Sequence, residues 1–504
     1  MGKDHQAARD MGTRVRQLHA EGDSEALVEL IDREILDVWY GIPPDELRRI
    51  LVSIPPTMLA RHPQVFLLGS VFMTPGDRSA FAGAGSSFEG HPRMQRWMLL
   101  AEALRARLDG DAVAAYIVLR GAPEVVGSIT QLIDPTGGFQ SFFLAQAAAT
   151  AALAGEFADA LALNERLLLI APRPGHEFLT RRAHVRSALL HGLFGDRAAA
   201  RIHRRRATET PRTCSWIEPQ IDLEVRLVDA LLRIDDDADA AAEQALQLTY
   251  EPMGEFWPFF VMVAERAAIT AGRLEDGRAR LGALRATGLA SAGVSGVAAS
   301  VFGQELGLDA VLRGNVVQAR EELAAADPDH WRTHFVEALV ALLASNPRRA
   351  MREVAAAEPQ TRGLRQAEYR RLAVLALAHF AEGEEAGSTA VITRIAQQLG
   401  PFDHAFLTML SPGLMSQVEA TAPGVRRDPR WVHDALGVLG RPRLSASELK
   451  VLAGLGRGLS REEIADSLFI SANTVKSQLA SLYRKLGVSS AGAAVREATH
   501  LDLL

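Results

Sequence analysis

The feature that most constrains the fold is a recurring pair of helices. An apolar helix stops at a glycine or asparagine, and a second helix with alanine near its start follows. The stopping residues are Gly155, Gly195, Gly272, Gly314, Asn346 and Gly383, and four of the five intervals between them span 32 to 42 residues. Helix pairs at this loose spacing are typical of an α-solenoid, although the period is too irregular for true tetratricopeptide repeats. We therefore predict an all-α chain in which residues 1–420 form a tetratricopeptide-like solenoid.

A second helical pattern lies near the end of the chain, in ISANTVKSQLASLYRKLGVSS, Ile470–Ser490. At 3.6 residues per turn, one stripe of this segment is apolar and predicts a buried face: Val475, Leu479, Leu482 and Leu486. The opposite side carries mostly small residues with positive charge at its edges: Asn473, Lys476, Ser477, Ala480 and Arg484. Small side chains allow a close approach, and cations suit a polyanion, so this face is predicted to contact a negatively charged surface.

Serines mark the starts of four consecutive helices in the same region. Ser445 and Ser460 are each followed three residues later by glutamate, which is the spacing of a capping box. Ser471 is a good N-cap for the segment described above, and a last helix is predicted to begin near Ser490. Two short helices joined by a turn this tight predict a helix-turn-helix within residues 441–504.

The run LSASELKVLAGLGRGLSREEIADSLFISANTVKSQLASLYRKLGVSS, residues 444–490, resembles the DNA-binding domain of LuxR-type transcription regulators. The resemblance implies that the third helix enters the major groove of double-stranded DNA, and that the fourth contributes to a homodimer on DNA. It implies base-facing places for Lys476, Ser477 and Ala480, and phosphate contacts at Thr474 and Arg484. Ser471, Asn473 and Lys485 complete the predicted DNA-binding set. Gln478 replaces a more usual histidine, and Ala491 stands where an arginine is frequent.

The charge distribution supports a division of roles along the chain. Residues 441–504 carry nine Lys or Arg and six Asp or Glu, a balance of +3, whereas the whole chain has a balance of −6. Because the remainder is acidic, DNA binding is expected to be confined to the C-terminal domain. One cysteine, a polar N-terminus and the absence of a long apolar run lead us to expect a cytoplasmic protein that does not contact a membrane.

The solenoid is similar to the sensor region of maltose-regulator-like members of the same broad family, most clearly at Ile50–Phe72. An aromatic group at a helix start could form the apolar wall of a ligand site, although a core role is the commoner one: Phe256, Trp257, Phe259 and Phe260. An arginine group, including Arg204 and Arg205, could hold an anion or could be a solvated helix face. The effector, a small molecule or a protein, is not identified by these residues.

Several motifs of other protein classes are missing or imperfect. No G-x-x-x-x-G-K-[ST] sequence is present, so the ATPase module of large family members is not predicted. The glycine-rich residues 80–92 follow no strand and are predicted to be a loop. The acidic run from Ile234 has Ala240 where a calcium-binding loop needs glycine, so it is predicted to start a helix. No nucleophile–base pair, metal site or cofactor site is evident, and we predict no enzyme activity.

The sequence therefore predicts a transcription regulator with three parts: a helical-repeat input region (1–420), a linker with a short helix (421–440) and a helix-turn-helix domain (441–504). RNA polymerase is a further expected partner. The alternative is a helical-repeat scaffold protein that uses its C-terminal domain for protein contacts.

Overall fold

The structure, a computed structural model, describes residues 2–59, 61–62, 65–66, 69, 71, 92–121, 138–249, 251–288, 293–399, 444–486, 488 and 490–500. Within these ranges the chain forms helices and their connections and no β-strand, which confirms the all-α prediction. None of the described helices is long and apolar enough to cross a bilayer.

Twenty-one α-helices precede residue 400 among the described residues. The first eleven are α1 (Gly2–Glu21), α2 (Ser24–Arg33), α3 (Ile35–Gly41), α4 (Pro44–Ser53), α5 (Pro56–Leu59), α6 (Pro92–Leu108), α7 (Ala112–Arg120), α8 (Phe139–Ala154), α9 (Phe157–Leu168), α10 (Glu177–Leu193) and α11 (Arg197–Glu209). The next ten are α12 (Glu218–Arg233), α13 (Ala238–Gln247), α14 (Trp257–Thr270), α15 (Leu274–Ala286), α16 (Gly296–Leu312), α17 (Val316–Leu323), α18 (Trp331–Leu343), α19 (Pro347–Thr361), α20 (Arg365–Glu382) and α21 (Glu385–Gln398). A short 3₁₀ helix, Glu251–Phe256, precedes α14.

The chain divides into two compact units. The first comprises Met1–Leu306, Glu322–His330 and Arg362–Ala367, and the second comprises Gly307–Glu321, Trp331–Thr361 and Glu368–Leu504. In the first unit, each helix from α8 to α15 packs against the next one along the chain. In addition, α8 packs against α10, α10 packs against α12, and α12 packs against α14. Helix pairs that stack on one another through alternate helices are typical of a helical-repeat solenoid.

The turns between paired helices explain the glycine pattern. Gly155 ends α8 with a left-handed φ of 97°, a conformation that favours glycine because it has no Cβ. A Cβ at this position would also lie 2.7 Å from Nε2 of His330. At the turn before α19 the left-handed residue is Ser345, with a φ of 59°. Asn346 instead accepts a hydrogen bond from the backbone N–H of Arg349 and so caps the start of α19.

The acidic run after α12 starts a helix, as predicted. The Asp237 side chain accepts a hydrogen bond of 3.0 Å from the backbone N–H of Ala240, at the first turn of α13. Two other predictions fall outside the described residues: the linker at 421–440, and the loop at 80–92 except for Pro92, which is the first residue of α6.

Candidate nucleic-acid interface

The C-terminal residues form four helices around a core of their own. These helices are α22 (Ala446–Gly456), α23 (Arg461–Leu468), α24 (Ala472–Leu486) and α25 (Ala491–His500). The predicted apolar stripe of α24 lies in this core, together with residues of the other three helices: Val451, Leu452, Ile464, Ala465, Val475, Leu479, Leu482, Leu486, Ala494 and Ala498. Every member of this cluster comes from the four helices, so these helices share one hydrophobic core.

The serines that were predicted to start these helices do so. Ser445 and Ser460 each form a capping box, with Glu448 and Glu463 as the returning side chains. At the start of α24, Ser471 Oγ accepts a hydrogen bond of 3.1 Å from the backbone N–H of Thr474. These local bonds satisfy N–H groups at each helix start that have no partner within the helix.

A single sharp turn joins α23 to α24. Phe469 adopts a left-handed conformation with a φ of 55°, and the backbone N–H of Ile470 bonds to the carbonyl oxygen of Ala465 at 3.0 Å. Phe469 is 96% exposed, so its ring does not contribute to the core. The turn leaves the N-terminal end of α24 on the surface, which is the arrangement of a helix-turn-helix.

The outer face of α24 is exposed along its first three turns. The predicted contact residues that lie on this exposed face are Ser471, Asn473, Thr474, Lys476, Ser477 and Ala480. Ser477 Oγ donates to the carbonyl oxygen of Thr474 at 2.9 Å, so this side chain lies along the helix. The position of Arg484 is within α24, but its side chain lies outside the described residues. The exposed face therefore combines small side chains with one lysine.

Lys485 lies in a different environment from the other predicted contact residues. Its Nζ donates a 2.7 Å hydrogen bond to Oε2 of Glu448, which is 6% exposed in its side chain. This ion pair connects α24 to α22 and neutralises the charge of Lys485 within the domain. The pairing joins residues 37 positions apart, and no periodic pattern in the sequence signals it.

The environment of Glu448 stabilises its ionised form. Burial acts to raise the pKa of this carboxyl group, but hydrogen bonds from Lys485 and from the backbone N–H of Ser445 lower the pKa to about 2. A folded-state pKa below the ordinary value means that ionised Glu448 stabilises the folded domain. This contribution is present above about pH 4.5 and is lost as the pH falls towards about 2.

We expect Glu448→Gln to lower the free energy of unfolding of residues 439–504 by about 1.5–3 kcal/mol at pH 7, because hydrogen bonds to a charged group are lost. The difference from the unsubstituted domain should shrink at pH 3. Urea denaturation of both domains, followed by circular dichroism at pH 7 and at pH 3, measures this difference in stability. Glu462→Gln, at an exposed position of α23, is the matched control and should change stability by less than about 0.5 kcal/mol. An equal loss at both pH values would show that the ion pair is not the cause.

The structure does not bring the predicted aromatic group together as a ligand wall. Phe259 and Phe260 are 0% exposed and Trp257 is 6% exposed, stacked on Phe302. Phe256 is also buried, but it is the member of the group that lines a cavity. Neighbouring positions on a helix point in different directions, so a run of aromatic residues divides between core and cavity.

The predicted arginine group packs α11 against α12 and does not line that cavity. Arg204 makes two hydrogen bonds to Asp229, at 2.6 and 2.8 Å. Arg205 lies within 3.8 Å of Glu209, and both side chains are exposed. Arg201 bonds to Asp235 and Asp236. The aspartates of α12 and its C-terminal turn therefore supply the anions for Arg201 and Arg204, whereas Arg205 pairs within α11.

Comparisons with known proteins address the four C-terminal helices. Residues 442–498 match the family described as bacterial regulatory proteins, luxR family. The chain is also similar to the probable transcriptional regulatory protein NarL of two Mycobacterium tuberculosis strains, CDC 1551 / Oshkosh and ATCC 25618 / H37Rv, with 46% identity over 63 residues in each. The match covers 12% of this chain and 29% of each relative, so the chain spans less than a third of the relatives it matches. The four C-terminal helices are a helix-turn-helix domain of the LuxR type.

Proposed function

We propose that the chain is a sequence-specific DNA-binding transcription regulator with residues 441–504 as its DNA-binding domain. The observation that carries the proposal is the exposed outer face of α24, which presents small side chains and Lys476 next to an N-terminus capped by Ser471. A helix with this surface fits into a major groove, where its first turns reach base edges.

The residues of α24 are proposed to have two kinds of role. Lys476, Ser477 and Ala480 face base edges, and Ser471, Asn473 and Thr474 lie at the end of the helix that approaches the backbone phosphates. A helix N-terminus with free N–H groups suits a phosphate oxygen. Arg484 is proposed as a phosphate contact further along the helix, on its position alone. Lys485 contributes to folding through its pair with Glu448.

Residues 1–420 are proposed to form the input region, joined through residues 421–440 to the DNA-binding domain. A ligand or protein partner that binds one arrangement of the chain more tightly would shift the population towards it. Binding to DNA as a homodimer, and contact with RNA polymerase, belong to the same proposal. No reaction chemistry is required by it.

The proposal predicts separate effects on sequence readout and on general affinity. Lys476→Ala should weaken binding to the preferred duplex by about 1–3 kcal/mol and weaken binding to random duplex less, because a base contact is lost. Fluorescence anisotropy with a duplex selected by the unsubstituted protein measures both affinities. Lys450→Ala removes the same charge from an exposed position on α22 and should leave the ratio of the two affinities unchanged. If Lys450→Ala lowers this ratio as much as Lys476→Ala does, the proposed readout by α24 is wrong.

A second candidate function is a helical-repeat scaffold whose C-terminal domain contacts proteins. The 96% exposure of Phe469, beside α24, favours it, because exposed aromatic side chains are common at protein interfaces. Phe469→Ser separates the two functions. If the domain is a scaffold interface, Phe469→Ser should abolish binding of its protein partner. If the domain binds DNA through the α24 face, Phe469→Ser should leave DNA binding intact.

A further inference from the structure

The first compact unit contains a cavity of about 280 Å³. Helices α3, α6, α8, α9, α10 and the 3₁₀ segment before α14 contribute to its lining, and so does the start of α12. One side is aromatic and is formed by Trp39, Tyr40, Trp216 and Phe256. The volume lies just below the range of about 300–1,000 Å³ that is usual for small-molecule sites. The cavity therefore suits a ligand with one or two rings.

Three arginines line the cavity, and two carboxylates pair with them. Arg107 donates from Nε to Glu255 at 2.9 Å. Arg182 and Arg186 share Glu224, with Nη2 to Oε1 distances of 2.8 and 3.2 Å. Glu224 is 0% exposed, and Arg186 is 9% exposed. The cluster thus holds one more positive charge than negative charge.

Several hydrogen-bond donors of this cluster have no acceptor among the described residues. All three nitrogens of the Arg107 guanidinium are bonded. In contrast, Arg182 and Arg186 bond only through Nε and Nη2, which leaves Nη1 of each without an acceptor in the described part of the chain. Asn164 also lines the cavity, is 3% exposed, and makes no side-chain hydrogen bond within the described ranges.

The unbonded donors of Arg182, Arg186 and Asn164 are not sealed from solvent, so a ligand in the cavity can reach them. Burial, and then repulsion from Arg182, lower the pKa of Arg186 to about 10, although Glu224 acts in the opposite direction. If the three arginines and two carboxylates had only a structural role, equal numbers of positive and negative charges, or apolar side chains, would make the protein more stable. An anion that accepts hydrogen bonds from Arg182, Arg186 and Asn164 would supply both the missing charge and the missing acceptors.

The chemistry of the cavity indicates which anion fits. One excess positive charge matches a monoanionic carboxylate better than a phosphate, which carries more negative charge at neutral pH. Arginine donors in a planar fork also match the geometry of a carboxylate. The aromatic side offers stacking to a planar ring. The guanidinium carbon of Arg186 lies 3.6 Å from the ring centroid of Phe256, so the charged and aromatic sides of the cavity adjoin.

We propose that this cavity binds a small aromatic carboxylate. Its carboxylate accepts hydrogen bonds from Nη1 of Arg182 and Arg186 and from the Asn164 amide, and its ring lies against Trp39, Tyr40, Trp216 and Phe256. The role of this ligand as the effector of transcription rests on the proposed function, whereas its binding does not.

The test measures binding of defined probes to the full chain without DNA. Isothermal titration and thermal unfolding are carried out with benzoate, salicylate and indole-3-acetate, and with the neutral amides benzamide, salicylamide and indole-3-acetamide as matched controls. At least one acid should bind at least tenfold more tightly than its amide and should raise the melting temperature, since a ligand stabilises the state that it binds. Equal binding of each acid and its amide, or no binding by any acid at millimolar concentration, would overturn the proposal.

Two substitutions locate the probe in this cavity. Asn164→Asp keeps the size of the side chain but adds a negative charge beside the arginines. It should keep or raise the melting temperature of the free protein, while acid binding falls at least tenfold. Ala149→Phe should also abolish binding, because Ala149 lines the cavity and a phenyl ring would fill it. Arg226→Gln, at an exposed position of α12, is the control and should leave the affinity unchanged. An affinity that Asn164→Asp does not reduce would place the ligand elsewhere.

A separate measurement distinguishes failure of this proposal from failure of the proposed function. The preferred duplex is titrated with the full chain in the presence and absence of the tightest-binding acid. The cavity is supported as the effector site if the acid changes the affinity of the chain for the duplex and Asn164→Asp abolishes this change. Acid binding by a chain that binds no DNA would retain the cavity proposal and overturn the regulator function.

Discussion

Arg197→Met is expected to lower the free energy of unfolding of the helical-repeat region by about 3–5 kcal/mol, the range for removing one partner of a buried ion pair. Arg197 is 1% exposed. Its Nε donates to Asp235 at 2.8 Å, and Nη1 and Nη2 donate to the carbonyl oxygens of Gly192 and Leu231, each at 3.1 Å. Methionine would fill much of the volume and satisfy none of these acceptors.

The buried carboxylate explains why the expected loss is large. Burial raises the pKa of Asp235 even though Arg197 acts to lower it. Burial and repulsion from Asp236 together therefore outweigh the attraction of Asp235 to Arg197 and Arg201. Arg201 lies 3.3 Å from Asp235 and compensates only in part, because it is itself partly exposed.

A double substitution separates the ion pair from the packing. Chemical denaturation of the full chain, followed by circular dichroism, measures Arg197→Met alone and Arg197→Met with Asp235→Leu. The double variant should recover much of the stability, since an apolar pair can replace a buried ion pair at little cost. A loss below about 1 kcal/mol for Arg197→Met would contradict the buried-pair explanation.

Leu482→Ala is expected to lower the stability of the LuxR-type domain by about 2–5 kcal/mol, because it leaves a cavity in the core. Leu482 is 0% exposed and lies in the cluster shared by the four C-terminal helices. A domain of this size rarely has more than about 3–5 kcal/mol of stability. The substitution should therefore unfold a large fraction of residues 439–504 at 37 °C.

Thermal unfolding of residues 439–504, with and without Leu482→Ala, measures this effect. Ser477→Ala is the control, because Ser477 is exposed on the opposite face of α24 and should change stability by less than about 0.5 kcal/mol. A melting temperature that Leu482→Ala leaves unchanged would mean that the four helices do not depend on this core.

Local patterns allowed the helix starts and the buried face of α24 to be predicted from the sequence. Ser460 and Glu463 are three residues apart, and their reciprocal bonds form within one turn of helix. The apolar stripe that includes Val475 and Leu482 follows the helical period, and both side chains are fully buried. Such features depend on neighbours within a few residues, which is the range over which sequence spacing specifies geometry.

Contacts between distant helices were not predictable in the same way. Glu448 was identified as a capping residue, but its pair with Lys485 depends on how α22 packs against α24. The cavity brings together Trp39 of α3, Arg182 of α10 and Trp216 of the turn before α12, and no spacing in the sequence connects them. The aromatic group at the start of α14 showed the same limit, because composition alone could not tell the cavity-lining Phe256 from the neighbours that pack in the core.

Selection of duplex DNA from a random-sequence pool by the full chain tests the proposed regulator function most directly. The proposal predicts enrichment of one common sequence, and loss of this enrichment with Lys476→Ala while circular dichroism shows a folded chain. Absence of any enriched sequence at low salt, with the four C-terminal helices folded, would contradict it.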